Sequence, residues 1–186
     1  FYERHGFRPE GERFMEAGIE HQAMRRALEC PRAIERRQDA IDTTVRIIQD
    51  ARRTLLIRSF VLDPGLLDTP AVMQALRSFA TTGRGNEVRI LLHDAATPQR
   101  NQAPMLALAQ RLPSVFLFRE LDDPVDRIDP AAWIASDAGG YYLRSLGDRI
   151  EGEVELHAPA RCRQLRASHD QAWERARPVS EYRALG

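Results

Sequence analysis

Five histidines, two cysteines and twenty-seven acidic side chains are the chain's resources for proton transfer, nucleophilic attack or metal binding. One pair stands out by position. His93 and Asp94 close the apolar run from Val88 to Leu92; if that run is a strand of an α/β sheet, they sit where ligands are usually met. A base with an orienting carboxylate is the chemistry they suggest. Adjacent strand residues point to opposite faces, however, and no serine or cysteine nucleophile motif stands nearby. The pair therefore reads as packed or solvated strand-end residues. His5, His21, His93, His157 and His169 lack metal-ligand spacing, and His169, on an apolar helix face, reads as a hydrogen-bonded core histidine. Arg161, Arg163 and Arg166 form a basic cluster, with Arg149 before it and Arg175 and Arg177 after it. Guanidinium groups can grip phosphate bidentately, and near helix ends they also serve the macrodipole and neighbouring acids.

What composition excludes is as useful. All twenty-seven basic residues are arginine and none is lysine. No lysine Schiff base, lysine-dependent phosphate loop or His/Lys phosphotransfer pair can be built from this chain. Basic and acidic residues cancel, so there is no global attraction to anionic lipid, and nucleic acid is not an expected partner. Two distant cysteines, Cys30 and Cys162, fit a reducing cytosol better than a disulfide scaffold. No apolar run is long enough to span a bilayer, and the expected location is cytoplasmic. Heavy use of arginine and alanine points to a GC-rich bacterial source. The opening Phe1-Tyr2, without methionine, is the expected mark of a fragment.

The elements that must position these groups follow from periodicity. Pro31 to Arg53 reads as an amphipathic helix with Ile34, Ile41, Val45 and Ile48 on one face. Thr54–Phe60 reads as a strand, Pro70 onward as a helix stopped by Gly83, and Val88–Asp94 as the central strand. A polar loop from Ala95 to Ala103, a helix from Pro104 stopped by Pro113, and a strand Ser114–Arg119 come next. Strand, helix, strand, helix, strand favours a largely parallel sheet with right-handed crossovers. An exposed acidic loop, Asp122 to Pro130, leads to a hairpin, 132–136 and 141–144, around Asp137-Ala138-Gly139-Gly140. A strand of alternating residues spans Ile150 to Leu156. The last helix starts at Pro159, ends before Pro178, and carries Leu165, His169, Ala172 and Trp173 near one face, with Trp133 and Trp173 as core anchors.

Two stretches resemble known families. Phe1-Tyr2-x-x-x-Gly6-Phe7, followed by Phe14-x-Glu16-Ala17-Gly18-Ile19-x-His21-x-x-Met24, resembles the C-terminal end of the GNAT acetyltransferase superfamily. The resemblance covers the first two dozen residues. It implies that residues 1–27 are a remnant of such a domain, and that Tyr2 stands where many members keep a general acid for the departing CoA thiolate; helix packing is the other reading of that aromatic. It also implies that acetyl-CoA binds the full-length parent and that no cofactor is expected for this fragment, because the family's pyrophosphate loop would precede Phe1.

The hairpin with Asp137, a glutamate-bearing strand and a helix carrying Leu165, His169 and Trp173 resembles the C-terminal half of a phospholipase D-like domain. The preceding α/β run from Pro31 is similar to its N-terminal half, giving residues 28–186 as the second domain. Active members carry His-x-Lys-x-x-x-x-Asp. Counted back from Asp137, the histidine position holds Pro130 and the lysine position Ala132, and neither can attack phosphorus or bear charge. The resemblance thus implies a catalytically silent α/β module with a mixed, largely parallel sheet flanked by helices, serving binding or dimerisation. A non-enzymatic phosphate- or nucleic-acid-binding module using Arg161, Arg163 and Arg166 is the alternative. Phosphodiester hydrolysis conflicts with the missing His-x-Lys pair.

Overall fold

The computed structural model describes residues 8–25 and 31–182. The chain divides into two compact units, Phe1–Cys30 and Pro31–Gly186. In the first, β1 (Arg8–Glu16) and β2 (Ile19–Arg25) form an antiparallel hairpin. Its two-residue turn puts Ala17 at φ 52° and Gly18 at φ 80°, the doubly left-handed geometry whose twist matches paired strands. Gly11, at φ 74°, accompanies a register shift between Glu10 and Phe14. The Phe14 and His21 rings stack at 5.7 Å across the ladder.

The second unit is an α/β layer structure. Its elements are β3 (Arg32–Ile34), α1 (Arg37–Asp50), β4 (Thr54–Ser59), α2 (Pro70–Thr82), β5 (Glu87–Leu92), α3 (Ala96–Arg100), α4 (Pro104–Arg111), β6 (Phe116–Glu120), α5 (Pro124–Ile128), β7 (Ala132–Ser136), β8 (Tyr141–Arg144), β9 (Gly152–Glu155), α6 (Pro159–Arg175) and β10 (Arg177–Pro178). The eight strands run in the order β10-β6-β5-β4-β7-β8-β9-β3.

This sheet is mixed and flanked by helices, but its parallel character is confined to one stretch. β4–β5 and β5–β6 are parallel, as the strand-helix-strand pattern requires. The other five adjacencies are antiparallel, so the sheet is largely antiparallel rather than largely parallel. The reason is topological. After β6 the chain returns to the inner edge at β4, places β7 antiparallel beside it, and continues by a hairpin that needs no crossover.

Three stretches also differ from expectation, one of them the acidic loop Asp122 to Pro130, which holds the short exposed helix α5. The helix expected from Pro31 begins at Arg37, because Arg32–Ile34 extends the sheet by pairing with β9. Ile34 is 1 % exposed, so it shares the apolar spacing of α1 without belonging to the helix. The expected loop after Asp94 contains the one-turn helix α3.

Both sheet faces are covered. Leu55, Ile57, Val88, Ile90 and Ile134 face a core shared with α1, α2 and α4. On the opposite face Leu56, Trp133 and Tyr141 meet Cys162 and Leu165 of α6, while Leu91 and Leu121 meet Ala172 and Trp173. α6 thus buries positions 162, 165, 169, 172 and 173, a helical stripe laid along the sheet. Gly152 allows close approach of β8: a Cβ there would stand 2.3 Å from the Leu143 carbonyl oxygen.

Candidate functional site

Strand alternation sets up the first end of the sheet. Within β4, Leu55 and Ile57 point to one core and Leu56 to the other, so Arg58 is carried into the α6 layer between Leu91 and Trp133, its neighbours in register. It is 4 % exposed. Its guanidinium donates to the carbonyls of Asp126 (2.5 Å) and Asp129 (3.1 Å), and the Asp129 carboxylate lies 3.6 Å away. Burial lowers its pKa, and the charges of Asp129 and Asp126 oppose that. Arg58 thereby pins α5, which Arg175 also holds through the Asp126 carboxylate at 2.6 and 2.9 Å. Asp123 starts α5 by accepting the Val125 amide at 2.9 Å.

His93 lies beside this arginine. It is buried, and its ring stacks on Phe60 at 4.1 Å and 10°. Burial first, then the Arg58 and Arg127 charges, push it down to about 4. Its Nε2 has no hydrogen-bond partner and no path to solvent. Asp94 does not orient it: the Asp94 carboxylate accepts the amides of Ala96 (2.8 Å) and Thr97 (3.1 Å) and the Thr97 hydroxyl (2.6 Å), starting α3. These bonds, led by the Thr97 hydroxyl, hold the carboxyl below its ordinary value. With its Nε2 buried and its pKa depressed, His93 is a poor proton acceptor near neutrality and shows only Nδ1 to any approaching group.

His169 is the second buried histidine, 1 % exposed. It stacks on Trp173 at 5.5 Å and meets Trp133 edge-on at 5.6 Å. It is a core residue, as expected, and the Ile57 backbone is the one hydrogen-bonding group that bears on its ring. Neither ring nitrogen reaches a partner at hydrogen-bond geometry. Burial, reinforced by Arg89 and Arg58 and only partly offset by the Ile57 backbone, brings it to about 3. A third buried group, Arg144, pairs with Asp63 and donates to the Gly147 carbonyl at 3.0 Å.

The two positions where a phospholipase D-like motif would place histidine and lysine are at this end. Pro130 is exposed, its carbonyl accepting the Gly147 amide at 2.8 Å. Ala132 opens β7 and is fully buried. Asp137, five residues further, lies at the other end of β7, about 17 Å away at strand rise. Its carboxylate accepts the backbone amides of Arg52 (2.8 Å) and Arg53 (2.9 Å), and its own amide donates to Thr54. Asp137 therefore staples the α1–β4 connection to the β7–β8 turn. Asp137→Ala should cost about 1–2 kcal/mol in urea melts, with Asp137→Asn costing less because one acceptor survives.

Next to Asp137 is a hollow of about 180 Å³ lined by Ser136, Asp137, Gly139, Cys162, Arg163 and Arg166. The arginine cluster read from sequence is thus split. Arg163 and Arg166 border the hollow, whereas Arg161 bonds Gln164 at 3.3 Å and is not part of its lining. A larger apolar hollow of about 310 Å³ lies at the β6 edge among Phe116, Phe118, Trp173 and Tyr182. The Tyr182 hydroxyl is committed to the Ala95 carbonyl and Arg119 to the Trp173 carbonyl, so no free acid or base faces that space. Among the described residues no group of three or more His, Cys, Asp or Glu could hold a metal ion, and no helix is long and apolar enough to cross a membrane. Tyr2 and Cys30 lie outside the described residues.

Helices on both faces of a mixed sheet, with a hairpin and a long final helix completing it, make an α/β fold similar to that of phospholipase D-like proteins. The chain belongs to the family described as Domain of unknown function (DUF7931), whose profile matches residues 36–185. No curated protein sequence matches it. Among solved structures it is similar to TrmBL2, described as an archaeal chromatin protein with a novel mode of DNA binding (16 % identity, TM-score 0.56, 82 % of this chain and 55 % of that one). The chain therefore spans little more than half of TrmBL2. It is similar also to NucT from Helicobacter pylori (15 %, TM-score 0.54, 77 % and 92 %). Nuc from Salmonella typhimurium, a phospholipase D family member, is a third neighbour (16 %, TM-score 0.52, 76 % and 89 %). At these identities the likeness is one of fold.

Proposed function

We propose that the chain is a non-catalytic phospholipase D-like module that serves binding or assembly within a longer cytoplasmic bacterial protein. The observation that supports this most is the pair Pro130 and Ala132: one exposed and without a reactive group, the other sealed in the core. The remaining polar groups at that end offer no substitute. Arg58 and Arg144 are buried and turned to internal carbonyls and to Asp63, and His93 has its Nε2 buried and its pKa depressed. No phosphodiesterase turnover above background is expected with bis-p-nitrophenyl phosphate. Turnover that disappears in His93→Ala while the fold survives would overturn the reading.

In the same proposal the module homodimerises through the phospholipase D-like domain, and light scattering of the purified chain tests that directly. Residues 1–27 are read as the end of a GNAT-type acetyltransferase domain, with Tyr2 as proton donor to the CoA thiolate. The support is the sequence word Phe1-Tyr2 to Met24 alone. A longer reading frame that includes the pyrophosphate loop should bind acetyl-CoA in calorimetry, and the 186-residue chain should not.

A further inference from the structure

We propose that the hollow between the β7–β8 turn and α6 is a binding site for a phosphoryl oxyanion, gripped by Arg163 and Arg166 and presented by a small phosphorylated molecule. It lies at the far end of β7 from Pro130 and Ala132, so it is a different place from the one a phospholipase D-like motif would occupy.

Four features converge there. Arg163 and Arg166, three apart on α6, border the hollow, and neither has an ion pair or hydrogen bond among the described residues. Most other arginines around the sheet are committed: Arg58, Arg89, Arg119, Arg144, Arg175 and Arg177 all have carboxylate or carbonyl partners. Second, the one carboxylate in the lining, Asp137, is already engaged by the Arg52 and Arg53 amides. Those two amides compensate part of its charge and fix its orientation, so it neither pairs with the arginines nor takes the anion's place. Third, α6 runs for 17 residues, its first residue Pro159 borders the hollow, and no side chain caps it and no acid stands in its first turn. Its N-terminal partial positive charge is therefore free to act on an anion in the hollow. Fourth, the thiol on the floor adds no negative charge of its own, and Glu155, which bears on it, is not part of the lining. Cys162 is 8 % exposed, and burial together with Glu155 pushes its thiol up to about 11, leaving it neutral.

Two guanidinium groups, each able to donate bidentately, together with a helix start are donors suited to a phosphoryl oxyanion. The hollow, about 180 Å³ and open to solvent on one side, has room for a phosphoryl group with the rest of the molecule outside it. With a net charge of zero, the rest of the chain offers a phosphate polymer no extended field. A small phosphorylated molecule is the better fit.

The test is a heteronuclear NMR titration of the full 186-residue chain with inorganic phosphate, and separately with a ten-nucleotide oligothymidylate, against sodium chloride at matched ionic strength. Saturable shifts are expected at the amides of Gly139, Ala160 and Cys162 with phosphate. Arg163→Gln/Arg166→Gln should weaken that binding at least tenfold, Arg163→Lys/Arg166→Lys by less, and Arg161→Gln hardly at all. Circular dichroism melts confirm that each variant is folded. Oligothymidylate binding no tighter than phosphate upholds the small-molecule assignment. Oligothymidylate binding much tighter, with steep salt dependence, would replace it by a nucleic-acid backbone site. No saturable shift beyond the chloride control, or equal losses in Arg161→Gln, would overturn the proposal. None of these outcomes touches the hydrolysis assay at the opposite end.

Discussion

Stability should fall by about 3 kcal/mol between pH 6.5 and pH 5, about 1.5 kcal/mol from each of two buried histidines. His93 and His169 titrate at about 4 and about 3 in the folded chain against 6.5 when unfolded. Each folded value is depressed, so between the two values the unfolded chain holds protons that the folded chain refuses. Their stabilising contribution is therefore complete above 6.5 and drains away as pH falls toward 4 and then 3. The full linked effect, about 3 kcal/mol for His93 and about 5 for His169, is an upper bound reached only in strong acid.

The window from 6.5 to 5 is informative because ordinary carboxylates have barely begun to protonate there. Arg58 bears on both rings, Arg127 on His93, and Arg89 and Arg166 on His169, so protonation would place a new cation among existing ones as well as in apolar surroundings. Only Asp129 opposes this at His93. The measurement is urea unfolding at pH 6.5 and pH 5.0 for wild type and for His169→Phe, which fills the slot between the two tryptophans without a titrating group. The variant should lose about half of the pH dependence whatever its absolute stability. An unchanged difference between the two pH values would show that His169 charges freely in the folded state, contrary to its enclosure.

How much of this was legible beforehand depends on the range of the interaction. Apart from α3, the elements from Thr54 to Arg119 were readable because they carry their own periods and Pro or Gly boundaries, and the parallel pairing of β4, β5 and β6 followed. β3 and β10, three and two residues long, have no periodicity to read; they exist because a sheet edge is there to pair with. The sense of β7 was not available locally either, since a crossover and a return look alike in one dimension.

At the candidate sites the pattern is the same. Helix geometry, at 100° per residue, already separates Arg161 from Arg163 by 200° and brings Arg163 and Arg166 within 60°, so the split of the cluster was in reach. That Arg58 sits under α5, or that Asp63 meets Arg144, was not. An arginine in Thr54-Leu55-Leu56-Ile57-Arg58-Ser59 signals a buried cation, yet its partners are carbonyls sixty-eight and seventy-one residues away. His169 shows the opposite limit: its burial was readable from its helix face, but the two tryptophans around it are placed by no periodicity.

Breaking the Asp63–Arg144 pair should be among the most damaging single changes in the chain, costing about 3–5 kcal/mol. Arg144 is 4 % exposed and Asp63 8 %, so neither charge can turn to water when its partner is lost. Burial raises the Asp63 carboxyl above its ordinary value, with the Arg144 charge and the Ser59 hydroxyl pulling it back. Arg144→Met removes that compensation and also strands the carbonyls of Gly147 and Arg149, which the guanidinium serves at 3.0 and 3.3 Å. Asp63→Asn keeps the volume and the left-handed backbone at φ 38°, which Asn tolerates, but leaves the arginine buried without its counter-charge. The double variant lacks both charges, so it should be more stable than the sum of the single losses by about 1–3 kcal/mol. Guanidinium unfolding of the four proteins closes the cycle, and additivity would mean that water already reaches the pair. Arg144→Lys adds a geometric control: a single ammonium cannot serve a carboxylate and two carbonyls from the position of a fork, so most of the loss should remain. That outcome would tie the charge at this end of the sheet to holding the β8–β9 connection under Pro130, where Gly147 donates its amide, rather than to any substrate.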